Sequence, residues 1–131
     1  MNQHHFSVLY VEDEPELQDI IKEELEAAGI QVSTASNGIE ALHLLKKESF
    51  DVVLSDLKMP QLDGVGLRKL ACEFVRGNPL VWIGFSGHSE LSPDDLSALG
   101  FDEVLFKPLS TQMVIAVCVQ HLEAKRQKAS A

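Results

Sequence analysis

The stretch "VLSDLKMP", residues 53–60, brings an apolar run of strand-forming residues to a stop at a single carboxylate, Asp56, and then stiffens the chain at Met59-Pro60. An aspartate after a strand is often no more than a turn residue. The run before it is more informative. Near-continuous apolar character at 51–54, repeated at 80–83 within "PLVWIGFS" (79–86), describes strands buried on both faces. Strands of that kind belong to a parallel sheet with helices on either side.

The flanking sequence alternates accordingly. "FSVLYV" (6–11) reads as a strand. "EPELQDIIKEELEAAG" (14–29) places Leu17, Ile20, Ile21, Leu25 and Ala28 at helical spacing, with Pro15 in the first turn and Gly29 as the C-terminal cap. "IQVSTA" (30–35) is a strand, and "NGIEALHLLKKES" (37–49) is a helix capped by Asn37. A helix follows at 64–77. A short one is expected at 92–100, with Ser92 as cap and Pro93 at its first position. "DEVLF" (102–106) is a fifth strand, and "STQMVIAVCVQHLEAKRQK" (110–128) a fifth helix. Five strand–helix pairs without internal repeats give an α/β domain, a parallel sheet covered on both faces.

The 131 residues are enough for one domain, expected at 6–126 with terminal tails at 1–5 and 127–131. A formal net charge of −9 argues against direct nucleic-acid or anionic-membrane binding. Acidic residues crowd the first 26 positions, whereas Lys125, Arg126 and Lys128 sit near the end, where they suit the last turn of a helix. Cys72 and Cys118 each lie in an apolar helical pattern and read as buried, reduced thiols of a cytoplasmic protein. The longest apolar run, "MVIAVCV" (113–119), is far short of a membrane span, and no charged-then-apolar leader opens the chain.

In a doubly wound sheet, ligands sit beyond the carboxyl ends of the strands. Here those ends carry Glu12-Asp13-Glu14, Asp56, Ser86-Gly87-His88 and Lys107-Pro108. Each group alone has a plain reading: acids at a helix start, a turn aspartate, a strand-end serine, a loop lysine. Together they form a chemical set. Clustered carboxylates call for a cation, and hard oxygen donors suit Mg²⁺. The lysine supplies a point charge, the serine a rotatable donor, and an aspartate can accept a phosphoryl group.

The ordered set "VEDEP" (11–15), "DLKMPQLDG" (56–64), "FSGH" (85–88) and "FKP" (106–108) resembles the receiver domain of two-component response regulators, over residues 6–126. The resemblance implies a flavodoxin-like sheet of order 2-1-3-4-5 with five helices. It implies that Asp56 is phosphorylated by a histidine kinase, a phosphotransfer protein or a small phosphodonor. Asp13, the Asp56 carboxylate and the Lys58 backbone carbonyl would bind Mg²⁺, or alternatively Mn²⁺, with Glu12 acting through a metal-bound water. Ser86 would be the switch hydroxyl, helped by the Gly87 amide. Lys107 would contact a phosphoryl oxygen, and the Lys107–Pro108 peptide would be cis. Lys58 and His88 would tune hydrolysis of the acyl phosphate.

Two positions depart from the family pattern. Glu12 stands where aspartate is more usual, and Val104 stands three residues before Lys107 where the family often has Tyr or Phe. Phe85 and Phe106 are candidates for that aromatic role. The remaining histidines, His4, His5, His43 and His121, share no metal-ligand spacing and read as structural or exposed, and Trp82 reads as core.

Such a domain is a phosphorylation-dependent switch, not a turnover enzyme, although it catalyses its own phosphorylation and dephosphorylation. "MVIAVCV" is apolar nearly all round, so helix 110–127 is expected to meet an output protein or a second copy of the chain. Competing readings are a pseudo-receiver that is never phosphorylated and a haloacid-dehalogenase-like phosphatase. The second of these needs an acid two positions after the nucleophile, where this chain has Lys58. A flavin module fits least, since three acids replace the phosphate-binding loop after the first strand. A stand-alone receiver and the receiver of a larger regulator or hybrid kinase both fit the sequence.

Overall fold

The computed structural model describes residues 5–58, 62–71, 80–87, 94, 98 and 100–130. Five strands, β1 (Ser7–Val11), β2 (Gln31–Ala35), β3 (Val52–Asp56), β4 (Val81–Ser86) and β5 (Glu103–Phe106), form one parallel sheet of order β2-β1-β3-β4-β5. The order reverses direction at β1, so the crevice between the ends of β1 and β3 is the topological switch point. Every residue of β3 and of β4 is buried, as the apolar runs require.

Alternation along the strands divides the core into two layers. Val8, Tyr10, Val52, Leu54, Ile83 and Phe85 share one cluster with Ile21 and Leu25 of α1 (Pro15–Ala27) and Val114, Val117, Cys118 and Leu122 of α4 (Thr111–Ser130). Leu9, Val11, Val53 and Trp82 share the other with Ala41 and Leu45 of α2 (Gly38–Lys47) and Leu67 and Ala71 of α3 (Gly64–Ala71). Cys118 is a buried free thiol, pushed up to about 12 by burial.

Helix ends follow local chemistry. Asn37 Oδ1 accepts from the Glu40 amide at 2.9 Å, and Asp63 Oδ1 accepts from the Gly66 amide at 2.9 Å, each capping its helix. Pro15 opens α1, and Gly29 closes it at φ 90°, a conformation that favours glycine. The last helix is α4, running to Ser130, two residues beyond its expected end.

Among the described residues the structure has four helices, where the sequence suggests five. Most of the segment expected to form the additional one, 92–100, lies outside the described residues, Ser92 and Pro93 included; Asp94 and Ala98 are helical. Met59-Pro60, Cys72, His88 and His4 also lie outside them.

The apolar run 113–119 is largely used within its own domain. Val114, Val117 and Cys118 are buried, Ile115 and Val119 are half-buried, and only Met113 and Ala116 are exposed. At the opposite end of α4, Lys125 Nζ donates to the Leu80 carbonyl at 2.6 Å and pairs with Asp102 Oδ2 at 3.0 Å. Asp102 Oδ2 also accepts from the Trp82 amide at 2.8 Å, so one lysine ties α4 to the start of β4.

Candidate functional site

The site is built from loop starts at the carboxyl edge of the sheet. β1 delivers Glu12, β3 ends on Asp56, β4 ends on Ser86, and β5 leads into Lys107. Parallel register fixes their relative positions: Asp56 pairs with Phe85, and Ser86 pairs with Phe106. The loop behind Asp56 lies close because Gly64 has no side chain; a Cβ there would stand 2.6 Å from the Asp56 carbonyl.

Asp56 is 5% exposed. Its Oδ1 accepts from the Lys58 amide at 2.9 Å, and its Oδ2 accepts from Lys107 Nζ at 3.0 Å. Glu12 is wholly buried. Its Oε2 accepts from the Glu14 amide at 3.2 Å, and its Oε1 accepts from the Tyr10 hydroxyl at 3.4 Å, with Lys107 Nζ 3.8 Å away. Asp13 is exposed on the rim. Donor oxygens of Glu12, Asp13 and Asp56 all lie within 4.8 Å of one another. Three carboxylates facing one ammonium leave an excess of negative charge on hard oxygen donors. That set fits a divalent cation such as Mg²⁺ or Mn²⁺.

Burial pushes the Glu12 carboxyl up to about 7, with the Asp56 charge adding to it and the Glu14 amide and Lys107 ammonium opposing. Burial and the Glu12 charge hold the Tyr10 phenol well above its ordinary range. For Lys107, partial burial works against the charged form. The hydrogen bond to Asp56 and the charges of Asp56, Glu12 and Glu14 outweigh it, so the ammonium is held above its usual value.

The structure thus brings Glu12, Asp13, Asp56 and Lys107 together, with the Lys58 backbone against Asp56. Ser86 is buried at the end of β4, and its carbonyl accepts from the Lys107 amide at 3.0 Å. Gly87 is exposed next to the Lys107 stem. The Lys107–Pro108 peptide is cis, as expected.

The two aromatic candidates differ in burial. Phe85 is already fully buried, packed against Tyr10 with ring centres 5.8 Å apart and with Lys107 Nζ 5.6 Å from its own, and Phe106 is 60% exposed. His121 Nε2 lies 3.0 Å from Glu103 Oε1, a structural contact.

Two neighbours were not singled out by the sequence. Tyr10 bonds Glu12, and Gln18 Nε2 donates to the Glu12 carbonyl at 3.0 Å and the Ala35 carbonyl at 3.2 Å. For Tyr10 a signal existed: it precedes Glu12 by two residues and so shares its strand face. Gln18 had none, because its partners are backbone atoms.

The response regulator receiver domain profile matches residues 8–118. The sensor histidine kinase RcsC of Salmonella typhimurium is 29% identical over 120 residues, covering 92% of this chain and 13% of the kinase, so the chain spans about an eighth of that relative. The receiver domain of the Francisella response regulator 1452 superposes with a TM-score of 0.80 at 27% identity, covering 92% of this chain and 98% of that one. The receiver domain of sensor histidine kinase PA1611 from Pseudomonas aeruginosa PAO1, solved with a magnesium ion in its active-site cleft, has a TM-score of 0.80 at 21% identity and covers 92% and 99%. No helix among the described residues is long and apolar enough to cross a membrane. The sheet order, the acidic edge opposite Lys107 and the profile match agree: the chain belongs to the response regulator receiver domain family of two-component signalling.

Proposed function

We propose that Asp56 accepts a phosphoryl group from a histidine kinase, a phosphotransfer protein or a small phosphodonor, and that the chain relays this as a conformational change. The observation that carries the reading is the Asp56–Lys107 contact, 3.0 Å across 51 residues of sequence, beside the Glu12–Asp13 carboxylates. An Asp56 oxygen attacks phosphorus, the bond to the donor nitrogen or oxygen breaks, and an acyl phosphate forms. Each Asp56 oxygen holds one donor and keeps lone pairs for the attack. Lys107 sits where it can follow charge from the carboxylate onto a phosphoryl oxygen.

Asp13, Asp56 and the Lys58 carbonyl would hold Mg²⁺, with Glu12 acting through a water; bound there, the ion would neutralise charge on the phosphoryl oxygens. The magnesium in the cleft of the Pseudomonas neighbour supports that assignment. Ser86 and the Gly87 amide would hold the transferred group. The same carboxylates would then position water for its hydrolysis, making the chain a switch that resets itself. Receiver homologues within sensor kinases support a histidine kinase as donor, and a cytoplasmic location belongs to the same proposal.

Beryllofluoride, which mimics the phosphoryl group, tests the site. With Mg²⁺ present, bound fluorine resonances are expected for the unsubstituted chain and none for Asp56→Ala. Their absence from both would favour an interaction module that is never phosphorylated.

A groove of about 790 Å³ beside α4, with an apolar floor of Ala28, Ile115, Ala116 and Val119 edged by Gln112, Gln120 and Glu123, is where we propose that an output protein or a second copy docks. Light scattering in beryllofluoride checks self-association: a mass above the monomer is expected, and Ala116→Glu should abolish it. A monomer in both states would leave only the output protein.

A further inference from the structure

We propose that Tyr10 is a positioning residue for Glu12, and that its hydroxyl is what allows a glutamate to serve at that place. The inference rests on the reading of the site as a Mg²⁺-assisted phosphoryl acceptor and adds a residue which that reading does not use.

Packing alone asks for phenylalanine at this position. Tyr10 is wholly buried, in a core cluster with Val8, Leu54 and Phe85. Phenylalanine would fill almost the same space with no hydroxyl to desolvate. A buried hydroxyl needs a partner, and this one has Glu12 Oε1 at 3.4 Å on the same strand face. The ring is held by Phe85, centroids 5.8 Å apart and planes tilted by 39°, so the hydroxyl has little freedom to move.

Glu12 needs such a guide. Its arm has one more rotatable bond than aspartate, and the Lys107 ammonium stands 3.8 Å from the same Oε1. With only the ammonium to direct it, the carboxylate would close on Lys107 and draw that lysine from Asp56. The Tyr10 hydroxyl at Oε1 and the Glu14 amide at Oε2 hold it from two sides instead, beside Asp13 and Asp56. Lys107 then keeps its shorter contact, 3.0 Å, for Asp56. An aspartate, one methylene shorter, would withdraw its carboxylate from the Tyr10 hydroxyl. Tyrosine and glutamate therefore act as a pair.

A four-chain cycle tests this: unsubstituted, Tyr10→Phe, Glu12→Asp and the double variant, each titrated with Mg²⁺ by calorimetry and melted to verify folding. Tyr10→Phe should weaken Mg²⁺ binding by up to roughly 10-fold, the low end for losing a hydrogen bond behind a metal site because Glu12 reaches the ion through water, and should have no effect in the Glu12→Asp background. An equal loss of affinity in both backgrounds, or none in either, overturns the pairing while leaving the phosphoacceptor reading intact. A second measurement needs no substitution. The Tyr10 hydroxyl proton should give a slowly exchanging NMR resonance that moves as Mg²⁺ is added, and one indifferent to Mg²⁺ overturns the proposal even if Tyr10→Phe does not fold. An unsubstituted chain that binds no Mg²⁺ overturns both the pairing and the reading beneath it.

Discussion

Glu12 holds a carboxylate out of solvent, bonded by the Tyr10 hydroxyl and the Glu14 amide and 3.8 Å from the Lys107 ammonium. Its ordinary value of 4.5 rises to about 7 in the folded protein. Below 4.5 it is protonated folded or unfolded and contributes nothing to pH dependence. Between 4.5 and 7 the folded state keeps a proton that the unfolded chain has released, so this group's contribution to stability falls as pH rises; above 7 its full cost is present. Thermal melts of metal-free protein should show that decline, and Glu12→Gln should flatten it. A slope unchanged by Glu12→Gln would assign the titration elsewhere. Lys107 works in the opposite sense, as the cation between Asp56 and Glu12. Lys107→Ala should cost about 1–2 kcal/mol at neutral pH, measured by urea unfolding, because it leaves buried carboxylates uncompensated, while solvent around the partly exposed lysine screens the loss. Added Mg²⁺ should recover part of it.

At the scale of elements, the loop behind β3 depends on Gly64. A Cβ there would press on the Asp56 carbonyl and the Ser55 hydroxyl, both set by the strand. Gly64→Ala should destabilise by roughly 1–3 kcal/mol and also weaken Mg²⁺ binding, since strain is released by moving Asp56. A purely thermal effect with unchanged Mg²⁺ affinity would mean that the loop, not the strand end, gives way. Elements are also where the sequence was most and least readable. The Asn37 cap, the Gly29 stop and the doubly buried β3 and β4 follow from local signals, because cap chemistry and apolar runs act within a few residues. Contacts that join distant backbone to side chain left no such trace: Lys125 on Leu80, Gln18 on Ala35. The burial of Glu12 was hidden too, since acids at a helix start usually face water. For the same reason α4 looked freer than it is; periodicity cannot tell how much of an apolar circumference neighbouring elements will cover.

For the whole molecule, the fold makes one charge-dense edge from residues as distant as Glu12 and Lys107, and the family identity follows from that edge together with the sheet order. As proposed, this edge accepts a phosphoryl group at Asp56. Intact-mass spectrometry after incubation with acetyl phosphate and Mg²⁺ tests it most directly, run beside Asp56→Asn and a metal-free control. One added phosphoryl group is expected on the unsubstituted chain and none in either control. An adduct that persists in Asp56→Asn, or no adduct on a chain shown to bind Mg²⁺, would contradict it.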